Sequence, residues 1–190
     1  MDLLMGVFTA FGLSASAGLN AYIPLLIVGV VAHYTDWITL SNPWDLLANP
    51  WVLIVLGILV LIEMLADKIP AVNHINDAVQ TFVRPAAGAV AFAASANVVT
   101  DIHPVLAMVC GLLVAGSVHA VKSAVVRPIV TATTGGAGNV PVSIAEDIIA
   151  SVMSILAILV PILVAVILIL MVTLFLRWRR RRREKADMNI

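Results

Sequence analysis

Charge is scarce in this sequence. Asp, Glu, Lys and Arg supply 12% of its 190 residues while apolar residues supply 62%, against ~25% charged in an ordinary soluble domain. With a mean hydropathy of +1.07, the chain has too much apolar surface for one water-facing fold, which predicts an integral membrane protein. Cysteine is nearly absent. The single Cys110 excludes an intramolecular disulfide and a cysteine-rich metal site, and its apolar setting reads as packing. No Lys or Arg precedes the first apolar run, which argues against a cleaved signal peptide there. Phosphate-loop, nucleophile, metal-ligand and cofactor fingerprints are also missing, so no cofactor is expected.

What is present is apolar sequence in long runs. A bilayer crossing takes ~20 apolar residues, so the chain predicts an all-α membrane protein: a compact bundle of about four to six transmembrane or half-membrane helices. Residues 1–176 read as one membrane-embedded domain and 177–190 as a basic tail. The formal charge of zero hides an asymmetry, because Arg177, Arg179 to Arg183 and Lys185 crowd that tail. By the positive-inside rule the tail is cytoplasmic, and it would meet anionic lipid headgroups rather than nucleic acid. A homo-oligomer is compatible with the sequence.

The remaining cations, Lys68, Arg84, Lys122 and Arg127, all lie in or beside apolar segments. The densest ionisable run extends from Glu63 through Asp67, Lys68, His74 and Asp77 to Arg84 and Pro85. Glu63 and Asp67 are one helical turn apart on one face. A following helix from Pro70, expected to end before Pro85, carries His74, Asp77, Thr81 and Arg84 on one stripe and Val72, Ile75, Val79 and Phe82 on another. Further on, His119, Ser123 and Arg127 recur at intervals of four with Lys122 beside them, and Glu146 and Asp147 supply two more anions. Ionisable groups at membrane depth pair with one another or face water, so a paired polar core is expected.

Two segments suggest broken helices. Ser14, Ser16, Gly18 and Asn20 interrupt the first apolar run, which reads either as one long helix packed through small residues or as two half-helices. Gly135, Gly136 and Asn139 form a glycine-rich turn before Ser143 and Glu146, which have capping-box spacing. Trp37, Trp44 and Trp51 fall in an interfacial loop as membrane anchors. Asp101 and His103 read as a solvated turn, two residues being too few to specify a metal. The apolar run from 148 to 176 is interrupted by Pro161, as a kinked helix or a helix with a re-entrant piece. A faint internal echo, in which His74 precedes Arg84-Pro85 and His119 precedes Arg127-Pro128, is what an inverted repeat with broken helices would leave.

The runs GLSASAGLNAYIPLL (12–26), ADKIPAVNHIND (66–77), FVRP (82–85) and HAVK (119–122), with Thr134-Gly135-Gly136 leading to Glu146-Asp147, are familiar in combination. Together they resemble a bacterial multi-pass membrane family catalogued as domain of unknown function 4126. The resemblance covers about residues 5 to 165 and implies a helical inner-membrane protein in which these polar segments matter; it brings no activity with it.

From the residues, the expectation is a small membrane transporter or channel for a small ion, a cation or proton-coupled solute being favoured. Glu63, Asp67, Asp77, Glu146 and Asp147 would form its path, with the basic and histidine residues balancing charge or relaying protons. Neighbouring carboxylates raise one another's proton affinity, which suits proton coupling. The alternative is a membrane scaffold whose buried charges are structural salt bridges. An enzyme acting on lipid is less favoured.

Overall fold

The computed structural model describes residues 3–96, 103–161, 163, 166, 167, 169–174 and 177; at 3, 4, 70–74 and 96 only the backbone is described. Among these residues there is helix and no strand. The elements are α1 (Leu3–Leu19), α2 (Tyr22–Tyr34), a short 3-10 turn (Trp44–Ala48), α3 (Pro50–Ala66), α4 (Pro70–Ala96), α5 (Pro104–Val121), a π turn (Lys122–Val126), α6 (Arg127–Thr134) and α7 (Asn139–Leu159). The segment Pro104–Thr134 is one continuous helix, and it and Asn139–Leu159 are long and apolar enough to cross a bilayer.

Small residues let α1 become the centre of the bundle, against α4, α5 and α7. Ala10, Leu13 and Ala17 of α1 are fully buried, facing a core built largely of alanine from α4, α5 and α7. Its hydroxyls add cross-links. Ser14 Oγ donates to Gly111 O at 2.8 Å, Thr9 Oγ1 to Ala157 O at 2.8 Å and Ser16 Oγ to Ala150 O at 2.7 Å. Ser14, Ser16 and Gly18 therefore lie within α1 as packing groups and not in a helix break, which corrects the sequence expectation for those three. Cys110 is half-buried and packs beside Phe92 and Ala107.

Helices α4 and α5 approach closely where Gly88 faces Gly111. A Cβ on Gly111 would collide with Gly88 O, lie 2.6 Å from Phe92 Cβ and reach 2.8 Å from Ala89 Cα. Gly111→Val is expected to cost ~3 kcal/mol, the upper end for overpacking; denaturant titration of the purified protein checks this, and unchanged stability would contradict the crossing.

Two helix ends differ from expectation. Helix α4 continues through Pro85 to Ala96, since its packing against α1 and α5 outweighs the hydrogen bond that a proline inside a helix removes, a cost of ~3 kcal/mol. Ser143 lies inside α7, one turn after its start at Asn139, and is not an N-cap. The break anticipated near Pro161 occurs at Val160, whose backbone leaves helical geometry (φ −140°, ψ 68°).

The outward faces are aliphatic. Along α3, Trp51, Ile54, Val55, Ile58, Leu61, Ile62 and Leu65 are exposed, whereas only Leu56 and Glu63 are buried. On α4, Ile75, Val79 and Phe82 are exposed while Gln80 and Arg84 are buried. This is the reverse of a water-soluble pattern.

Candidate functional site: a buried ion cluster beside a broken helix

The break between α1 and α2 at Asn20-Ala21 frees backbone groups in the interior, and side chains from elsewhere take them up. Leu19 O accepts from Lys122 Nζ at 3.1 Å, and Ala21 N donates to Glu63 Oε2 at 3.1 Å and Oε1 at 3.3 Å. Asn20 Oδ1 accepts from the amides of Tyr22 and Ile23, both at 3.2 Å, and its Nδ2 donates to Asp147 Oδ1 at 3.0 Å. Of the two readings of the first apolar run, the half-helix reading is the observed one. Non-helical backbone persists here because Leu19 O and Ala21 N find buried partners.

Four carboxylates and four cations are then paired around that break, six of them in one network and Lys68 with Asp147 as a separate pair. Arg84 gives Nε (3.1 Å) and Nη2 (2.9 Å) to Glu63 Oε1, and its Nη2 also stands 3.4 Å from Asp67 Oδ2. Asp67 Oδ2 is the hub, with Arg127 Nη2 at 3.3 Å and Lys122 Nζ at 3.6 Å. Glu146 Oε2 holds Lys122 at 2.8 Å and Arg127 at 3.3 Å, while Asp147 Oδ2 holds Lys68 at 3.1 Å. The spacing of Glu63 and Asp67 does put both on the inner side, but Arg84 bridges them, so the two do not form a carboxylate dyad.

Lys122 and Arg127 reach the same two oxygens although they are five residues apart. In an α-helix that spacing would separate their directions by about 140°. The π turn between them, in which Arg127 N bonds to Lys122 O, absorbs one residue and aligns both inward. The expected four-residue stripe is altered accordingly: His119, Lys122 and Arg127 are buried, whereas Ser123 is half-buried and turns its hydroxyl onto His119 O at 2.9 Å.

His119 is fixed by its neighbours. Arg84 Nη1 lies 3.2 Å from Nδ1, and a guanidinium only donates, so Nδ1 accepts. Thr81 spends its proton on Asp77 O at 2.8 Å, so Nε2–H must be the donor across the 3.3 Å contact to Thr81 Oγ1. The ring is neutral with its proton on Nε2, and it positions Arg84.

Two cluster members escaped the sequence reading. Asn76 Nδ2 donates to Asp67 Oδ1 at 2.6 Å and Ser143 Oγ to Asp67 Oδ2 at 3.5 Å. Asn76, Gln80 and Arg84 recur at intervals of four, a signal masked by the neighbouring stripe through Asp77 and Thr81. The side chain of His74, Asp101 and the basic tail from Trp178 onward lie outside the described residues, while His103 is exposed and caps α5 by accepting from Val105 N at 3.3 Å.

A cavity of about 760 Å³ adjoins the cluster, lined by Asp67, Lys68 and Arg127 and also by Asp77. The turn carrying Gly135 (φ 62°) and Gly136 (φ 92°) forms its far wall with Asn139, the first residue of α7. Positive φ, and not crowding, requires glycine there, since a Cβ would meet nothing within 4 Å. No group of three or more His, Cys, Asp or Glu side chains able to hold a metal occurs among the described residues.

Fold and site together define an all-helical protein with an aliphatic exterior and a buried ion network at a helix break. The family described as Domain of unknown function (DUF4126) matches residues 7–181, and the chain belongs to it. No curated protein and no solved structure matches the chain.

Proposed function

We propose that the protein is a small multi-pass transporter or channel of the cytoplasmic membrane that moves a small ion or solute, a cation being favoured, through the ion cluster and its adjoining cavity. The aliphatic outer faces of α3 and α4 suit lipid contact, and the arginine-rich C-terminal end suits a cytoplasmic position. The observation that carries the reading is the cavity itself, which opens directly onto Asp67, Lys68 and Arg127 beside a broken helix. Broken helices at a polar midplane site are the construction used by many secondary transporters. Arg84-Pro85 and Arg127-Pro128 also send their guanidinium groups to one oxygen of Asp67, which favours an inverted repeat about that point.

A second reading, a membrane scaffold, draws on the complete pairing of the four carboxylates and four cations. Flux in proteoliposomes separates the two. Wild-type protein is expected to pass a small cation electrogenically or with pH linkage, and Asp67→Asn to abolish this while remaining folded. Folded wild-type protein without flux for any cation, anion or proton gradient would favour the scaffold.

A further inference from the structure

We infer that the cavity beside the ion cluster binds a small amphiphilic amine, with the ammonium held by Asp77 and the apolar body against the wall opposite. This rests on the transport reading and names its substrate class. Within the network every carboxylate has a cation. Asp77 has none among the described side chains: its Oδ1 is buried without a hydrogen-bond partner there, and the half-buried residue lines the cavity.

The cations that share the cavity are already committed. Lys68 Nζ bonds Asp147 Oδ2 at 3.1 Å and Met64 O at 2.8 Å, and Arg127 divides its Nη2 between Asp67 and Glu146. A carboxylate with one buried oxygen unpartnered is costly, and a cationic group entering the cavity beside it would supply the missing counter-charge. An anion would find its counter-charges taken.

The rest of the lining selects among cations. A bare hard metal ion takes about six or more oxygen ligands, and no cluster of metal-ligating side chains is present among the described residues. The cavity, at about 760 Å³, is far larger than an ion and falls within the roughly 300–1,000 Å³ of small-molecule sites. Pro128, Ala132 and Val140 line it with apolar surface, and Thr131 and Asn139 satisfy each other across 3.0 Å. A carboxylate without a cation among the described side chains, beside apolar wall from Pro128, Ala132 and Val140, suits a protonated amine on a hydrocarbon body.

The test is calorimetric titration of the purified full-length protein in detergent with n-butylammonium, with n-butanol and butyrate as neutral and anionic matches. Butylammonium is expected to bind in preference to both. Asp77→Asn should weaken it at least about tenfold, the loss of one charge-assisted hydrogen bond, and Ala132→Phe, which fills the cavity without changing charge, should do the same. Equal binding of butanol or butyrate, no binding of butylammonium, or undiminished binding in Asp77→Asn would each overturn the inference. Should Asp77→Asn fail to fold, Ala132→Phe decides, and retained amine binding there is equally fatal. Amine binding without flux in proteoliposomes would sink transport and leave the amine site; inorganic cation flux without amine binding would do the opposite.

Discussion

Arg84→Gln is expected to destabilise the protein by about 3–5 kcal/mol, the cost of breaking a buried ion pair by removing one partner. Arg84 and Glu63 are 0% and 1% exposed. Without the guanidinium, Glu63 keeps only the amide of Ala21, and its charge stays enclosed. His119 loses the donor that fixes its ring. Pairing the substitution with Glu63→Gln removes the stranded charge and should recover most of the loss, because replacing both partners of a buried pair is far less costly than removing one. Denaturant titrations of the two single variants and the double variant form the cycle. Additive losses would mean that the two side chains do not depend on each other.

Arg127→Gln should behave in the opposite way. Its removal strands no carboxylate, since Asp67 retains Arg84 and Lys122, and Glu146 retains Lys122 at 2.8 Å. Stability should therefore fall by only about 1 kcal/mol, the scale of an ordinary hydrogen bond. Arg127 lines the cavity, however, where Arg84 does not. Loss of Arg127 leaves Asp67 and Glu146 with one cation fewer beside the cavity, so a permeating cation should be held more tightly. Flux should then fall by roughly ten- to a hundredfold, the equivalent of one added charge-assisted contact. Proteoliposome flux alongside a melting curve gives both numbers. A variant that unfolds like Arg84→Gln would assign Arg127 to the framework, and one that folds and conducts normally would remove it from the path.

The two arginines looked alike in the sequence, each before a proline and each in an apolar setting. Residue type and hydropathy were sufficient to gather Glu63, Asp67, Arg84, Lys122, Arg127, Glu146 and Asp147 as partners, because charges in an apolar chain have few other ways to be satisfied. Which carboxylate takes which cation depends on helix phase and crossing, and neither is written locally. The phase error at Ser123 arose because periodicity assumes an unbroken α-helix, while the chain inserts a π turn after Val121. The capping expectation for Ser143 failed because α7 starts one turn earlier, at Asn139. Gly18 lies inside α1, where a Cβ would come 2.6 Å from Val118, so a glycine that resembled a breaker is a contact point.

The π turn also makes chain length a determinant of the site. Deleting one residue between Lys122 and Arg127 would remove the π turn and leave the two four apart and still aligned, whereas inserting one into α geometry would swing Arg127, with everything after it up to the glycine turn, by about 100° around the helix axis. All four cations would still be encoded, yet one would no longer meet Asp67. Over evolutionary time, an insertion in this segment would be as damaging as the loss of a charge, and relatives that share the network should space these two cations either five apart with the π turn or four apart without it.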